Sequence, residues 1–155
     1  MLSTSINAAA ELKIGVVNAG IILDKSPLKV KALARLEKEF SSRRKSLETK
    51  HKSLRSKQEK LAKDGAILGA DERKNKEREI LSEQRELKRL QGEYGEDLSI
   101  RRSEELQKLE KEIAQTIVDL AKKESYDLIL YQGVIYASDQ VNLTNKVLEI
   151  LKAKQ

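Results

Sequence analysis

Apolar positions in this chain recur on both sides of a glycine-bounded stretch, Gly65-Ala-Ile-Leu-Gly69. Before it, Leu33, Phe40, Leu47, Leu54 and Leu61 stand seven residues apart; after it, Ile80, Leu87 and Tyr94 do the same. A seven-residue apolar repeat keeps one stripe of a slightly supercoiled helix against a partner. The numbers of Leu54 and Ile80, of Leu47 and Leu87, and of Phe40 and Tyr94 each add to 134. A fold about residue 67 therefore sets the two stripes face to face, and Gly65 and Gly69 supply the turn. The pattern predicts one long antiparallel helical hairpin between about Pro27 and Glu124. Ser26 suits its N-cap and Pro27 its first helical position, where a missing N–H costs nothing. The first helix is expected to run to about Lys63, with Gly65 as a left-handed stop. The second restarts near Gly69, with Glu72 in a capping-box-like position.

The seam is thin. Arg43, Lys50 and Lys57 stand three residues after Phe40, Leu47 and Leu54, so the first helix buries one residue per repeat and is solvated elsewhere. Beyond Leu98 the face of the second helix widens: Leu106, Leu109, Ile113, Ile117 and Leu120 fit burial against a core. Gly92 and Gly95 each cost about 1 kcal/mol relative to alanine inside a helix. They mirror Ser42 and Glu39, beside the weak helix-forming pair Ser41-Ser42. Weak points on both helices at one level predict a hinge; the competing reading is that glycine permits close helix approach.

The chain ends carry the β signal. Lys13-Ile-Gly-Val-Val-Asn18 reads as a strand, followed by a brief helical turn through Ile21, Ile22 and Leu23. Leu128–Tyr131 and Val134–Ala137, around Gln132-Gly133, read as a β-hairpin. Asn142-Leu-Thr144 matches a glycosylation acceptor, but Asn142 fits better as the N-cap of a helix through Val147, Leu148 and Leu151. The expected class is α+β: a flexible tail over 1–11, a small β/α body from 12–38 and 96–155, and a hairpin arm over 39–95 with its tip near 65–70. Three short strands leave sheet edges that invite further copies, most simply in a closed ring. Ala8-Ala9-Ala10 suits the small-residue end of a cleaved leader, with the ordered part beginning near Glu11.

Charge sharpens the picture. Of the 155 residues 36% are charged and 3% aromatic, and the formal charge is +6. Residues 41–79 hold 13 Lys/Arg against 7 Asp/Glu, so the whole excess sits on the outer hairpin. Such a surface implies acidic partners, unless it is only a solvated face laced with pairs such as Glu48 and Lys52. Catalysis is not indicated. His51 stands among lysines, Glu104-Glu105 lies on a charged helix, and no phosphate-binding loop is present. With no cysteine and one histidine, neither a metal site nor any cofactor is expected. The arm lacks aromatic residues for base stacking, so no specific nucleic-acid binding is expected.

Several stretches carry a resemblance: Lys13–Gly20, Leu36-Glu-Lys-Glu-Phe40, Arg101-Arg102-Ser103, Tyr126–Leu130, Val134–Ala137, Asp139 and Asn142–Leu148. In this order and around a basic hairpin they resemble the Skp/OmpH family, small periplasmic chaperones of Gram-negative bacteria. The resemblance spans nearly everything from residue 12 onward. It implies a jellyfish-like homotrimer whose arms enclose a cavity, where unfolded outer-membrane barrel proteins are held without ATP. It also implies a removed signal peptide. Where familiar members carry a longer arginine run, this chain has Ser99-Ile100-Arg101-Arg102, so only Arg101 and Arg102 remain as lipopolysaccharide candidates.

The residues fit such a mechanism. Arg43, Arg44, Lys50, Lys57, Lys60, Lys63, Arg73 and Lys74 are the candidates for electrostatic capture, on arms whose net charge would be about +18 for three copies. Leu36, Leu81, Leu90 and Leu98 lie off the seam as candidate client contacts, with Ile67 and Leu68 at the tip for client or anionic lipid. Interhelical packing is the equal alternative for Leu90 and Leu98. Ser41, Ser42, Gly92 and Gly95 form the candidate hinge; Ile14, Val16, Leu128, Leu130, Val134 and Tyr136 form the candidate trimer body. The alternative function is a non-enzymatic coiled-coil scaffold or adaptor on anionic surfaces.

Overall fold

In the computed structural model, residues 11–154 are described. The leader-like alanines and the proposed tail up to residue 10 lie outside them. The element order is β1 (Ile14–Val16), α1 (Ala19–Lys25), α2 (Pro27–Asp64), α3 (Ala70–Lys123), β2 (Leu128–Leu130) and α4 (Thr144–Ala153). The chain divides into two compact units. One comprises residues up to Ala32 together with Leu106 onward; the other is Leu33–Glu105.

The first unit holds the core. Val17, Ile22, Leu109, Ile113, Ile117, Leu120, Leu143, Val147, Leu148 and Leu151 are buried together. The widened face of α3 supplies four of them, as its spacing predicts; Leu106, expected with them, is 45% exposed. β1 and β2 pair in parallel, Ile14 with Leu128 and Val16 with Leu130. On its other edge β1 meets the chain at Asn142: the Val16 N–H donates to the Val141 carbonyl at 2.7 Å, and the Val16 carbonyl accepts from the Leu143 N–H at 2.8 Å. Gly15 is buried there, and only glycine fits, because a Cβ would stand 2.4 Å from Leu143 Cδ1.

The expected β-hairpin over 128–137 does not form. β2 pairs with β1, and residues 134–137 have no strand partner among the described residues. Gly133 (φ 77°) turns the chain, but Ile135 and Tyr136 then stand fully or mostly exposed. β-propensity is realised only where a pleated surface finds neighbours, and this run finds none in one chain.

Local capping explains the boundaries. Asn18 caps α1, its side chain accepting from the Ile21 N–H at 3.0 Å, while its own N–H donates to Thr144 Oγ1. Buried Ser26 ends α1 and starts α2, accepting from the Leu28 N–H, with Pro27 the first helical residue. Two expected caps differ. Gly65 is not left-handed; it is required because a Cβ would lie 2.4 Å from the Leu61 carbonyl. The left-handed cap belongs instead to Ser125 (φ 54°) after α3, where the Tyr126 N–H reaches back to the Ala121 carbonyl at 2.9 Å. Leu143, not Asn142, occupies the N-cap position of α4; the Asn142 side chain accepts from the Thr144 N–H one step outside it.

Candidate functional site

The second unit is the antiparallel hairpin. Phe40 and Tyr94 meet edge to face with ring centroids 5.7 Å apart, the register set by the mirror sum. Phe40, Leu54 and Leu87 are buried; Leu47, Leu61 and Ile80 are half-buried. The seam fails where its mirror residue is charged. Leu33, opposite Arg101 by the same sum, is 56% exposed. Leu36 and Leu98, whose numbers also add to 134, are buried and half-buried.

Beside the seam runs a ladder of ion pairs between α2 and α3. Arg35 with Glu105 (2.5 Å), Glu39 with Arg101 (3.1 Å), Arg43 with Asp97 (2.7 Å) and Lys57 with Glu83 (2.5 Å) join residues whose numbers all add to 140. Lys57 also reaches Glu79 at 2.6 Å. Hydrogen bonding from Lys57 holds the Glu79 carboxyl below its ordinary value, and Glu79 with Glu83 pushes the Lys57 amine above its own. At the inner end Glu105 is buried between Arg35 and Arg101. Arg101 also pairs with Glu104, and hydrogen bonds to Glu39 and Glu104 raise its pKa further.

The ladder divides the candidate capture charges. Arg43, Arg44, Lys57 and Arg73 are engaged by Asp97, Glu37, Glu79 with Glu83, and Glu77 respectively. Arg43 additionally stands over both the Phe40 and Tyr94 rings. Arg43 and Lys57 tie α2 to α3, whereas the Arg44 and Arg73 pairs lie within α2 and α3 respectively. Lys50, Lys60, Lys63 and Lys74 are exposed and form no ion pair among the described residues. Arg102 is exposed, whereas Arg101 is committed to three carboxylates.

The apolar candidates divide likewise. Leu36 is buried and leaves the client-facing set; Leu90 and Leu98 are half-buried, and Leu81 is 46% exposed. At the tip Ile67 is 84% exposed and Leu68 half-buried. A depression of about 320 Å³ there is lined by Leu61, Ile67, Leu68 and Ile80 with Lys57 and Lys60. α3 continues unbroken through Gly92 and Gly95, and a Cβ at either would meet nothing within 4 Å. Close helix approach therefore does not account for these glycines. Ser41 is half-buried, its hydroxyl turned to the Lys38 carbonyl, and Ser42 is exposed. In the first unit Ile14, Leu128, Leu130, Val134 and Tyr136 are exposed and Val16 is half-buried.

Among the described residues no group of His, Cys, Asp and Glu could hold a metal ion. No described helix is long and apolar enough to cross a membrane.

Comparison with known proteins fits this geometry. The family model "Outer membrane protein (OmpH-like)" matches residues 13–151. The chain belongs to the OmpH-like family. A relative named chaperone protein Skp, from Photorhabdus laumondii, is 33% identical over 97% of this chain and 92% of its own length. Another of that name, from Vibrio cholerae, is 32% identical over 98% and 92%. The OmpH-like fold extends to a solved chain from Caulobacter crescentus, with a TM-score of 0.80 at 13% identity, covering 100% of this chain and 92% of that one.

Proposed function

We propose that this OmpH-like chain is an ATP-independent holdase of the periplasm that keeps unfolded outer-membrane barrel proteins from aggregating. A barrel precursor alternates apolar residues along unpaired strands, so it aggregates when free. A protein that binds the unfolded form and nothing else opposes premature collapse by mass action.

The observation that carries this reading is the exposed apolar edge of the first unit. Ile14, Leu128 and Leu130 on the two-stranded sheet, with Val134, Ile135 and Tyr136 beyond it, form a surface that one chain cannot cover. A homotrimer covers it by adding strands across copies, and three basic hairpins then bound a cavity. Clients are drawn in by Lys50, Lys60, Lys63 and Lys74 and held by exchangeable contacts with Leu81, Leu90 and Leu98 and the tip residues Ile67 and Leu68. Gly92 and Gly95, opposite Ser41 and Ser42, let the hairpin flex around clients of different size.

Light scattering on the full chain should give three times the chain mass, and a diluted, urea-unfolded barrel protein should stay soluble in its presence without nucleotide. A monomer would end the cavity; unchanged client aggregation would end the holdase.

A second reading, a scaffold on anionic surfaces, is favoured by Lys60 lining the tip depression with exposed Ile67, and by Lys63 and Lys74, which like Lys60 form no ion pair among the described residues. Replacing Ile67 and Leu68 with serine separates the two. A holdase with tip contacts loses client affinity, whereas a scaffold loses only its adhesion to anionic vesicles.

A further inference from the structure

One face of α3 carries cations that the ion-pair ladder does not touch. Lys74, Arg78, Leu81, Arg85, Lys88, Gly92 and Gly95 follow one another at alternating steps of four and three residues, the spacing of a single helix stripe. At 100° per residue the stripe lies roughly 120° around the helix from the Ile80, Leu87 and Tyr94 seam. All seven residues are exposed, and no acid falls within the series.

Between Lys74 and Lys88 the carboxylates are already taken, while Asp71 and Glu96 beyond the two ends of the stripe form no ion pair among the described residues. Glu77 pairs with Arg73, Glu79 and Glu83 with Lys57, and Glu86 with Arg89. Among the described residues Arg78 donates to the Asn75 side-chain oxygen at 3.1 Å and forms no ion pair, and Lys74, Arg85 and Lys88 form none either. A solvated helix normally intersperses its charges; here Glu77, on the flank of the stripe, is held by Arg73, leaving four cations in line around a bare leucine. At Gly92 and Gly95 nothing stands within 4 Å of a built Cβ, so backbone is open to a ligand there.

We propose that this stripe takes up an acidic, extended segment of polypeptide, its carboxylates meeting Lys74, Arg78, Arg85 and Lys88 and an apolar residue resting on Leu81. The inference rests on the chaperone reading for the source of the segment. The stripe is one residue wide, the width of a single extended chain. Its length of roughly 30 Å matches about ten extended residues. A bilayer surface would call for several inserted apolar side chains, and the stripe offers one. Single-stranded nucleic acid would call for stacking rings, and it has none.

The test compares two quadruple variants that remove the same charge. In the first, Lys74, Arg78, Arg85 and Lys88 become glutamine. In the second, Lys31, Lys38, Lys45 and Lys52, exposed lysines seven apart on α2 and also without ion pairs among the described residues, become glutamine. Glutamine is a helix former comparable to lysine, and circular dichroism with light scattering verifies fold and mass.

The probe is a labelled peptide of about twelve residues alternating glutamate with leucine or threonine, read by fluorescence anisotropy against its glutamine counterpart. The stripe variant should bind the acidic peptide at least about tenfold more weakly and the α2 variant less than about threefold. Equal weakening in both would reduce the stripe to net charge and overturn the proposal. So would an equal loss of binding to phosphatidylglycerol vesicles or to single-stranded DNA, or a changed mass in the stripe variant, which would make the stripe a contact between copies. Peptide binding in a protein that fails to suppress client aggregation leaves the stripe standing and sinks the chaperone reading instead.

Discussion

The two units are held together by different means. The first surrounds Ile22, Ile113, Val147 and Leu151 so completely that none retains measurable exposure. The hairpin unit buries Leu36, Phe40, Leu54 and Leu87 among its described apolar residues and relies for alignment on ion pairs in one register. Burial supplies stability in proportion to apolar area removed from water; exposed ion pairs supply little of it but specify register. The contrast teaches that the hairpin is built to be aligned and solvated, while the α/β unit is built to be stable.

The largest test of that contrast is a core truncation. Ile113→Ala should cost about 4 kcal/mol, because a fully enclosed site collapses poorly around a cavity. Chemical denaturation measures it, with hydrogen exchange showing whether α4 is lost together with α3.

Phe40→Ala is the corresponding cut in the hairpin. A loss of about 2–3 kcal/mol is expected, below the range for an enclosed phenylalanine, since a thin seam lets water and neighbours fill the gap. Deprotection should stay within residues 33–105. A loss equal to that of Ile113→Ala would erase the distinction between the units.

Gly92→Ala and Gly95→Ala should go the other way. With open space around each Cβ, each should stabilise α3 by about 0.5–1 kcal/mol. Should the glycines serve as a hinge, the doubly substituted protein gains thermal stability and loses tolerance for larger clients. A destabilised variant would mean that something other than flexibility, such as a second chain, demands the glycines.

The smallest expected effect is that of pH. Glu37, Glu79 and Glu86 are held below their ordinary 4.5 by hydrogen bonds from Arg44, Lys57 and Arg89. A depressed folded value means that each contribution is complete above pH 4.5 and is lost as pH falls through the folded value. Lys57, raised above 10.5, contributes below that pH and loses its contribution as pH rises through the folded value. Hairpin amides, corrected for intrinsic exchange, should lose more protection than α4 between pH 6 and pH 3. Added salt should mimic part of the loss.

Much of this was legible beforehand. The seven-residue repeat and the sum of 134 were enough to place Phe40 against Tyr94, since helix geometry converts spacing directly into a face. The buried face at Leu109, Ile113, Ile117 and Leu120 followed from the same arithmetic. Among the candidate site residues, type alone marked Ile67 as an exposed apolar tip. Type could not separate Arg43 from Lys63, because an ion pair depends on which carboxylate the opposite helix brings within reach. The stripe on α3 was present in the spacing too, yet it stands out only once Glu77, Glu79, Glu83 and Glu86 are seen to be occupied elsewhere.

Periodicity, proline and glycine by themselves determined the hairpin, its register and its turn, because those are properties of neighbouring residues on one helix. Tertiary structure alone decided that β2 pairs in parallel with β1 rather than with residues 134–137, that Ser125 and not Gly65 adopts the left-handed cap, and that Leu36 is buried. Each of those outcomes rests on which distant segment arrives alongside, and local sequence carries no record of that.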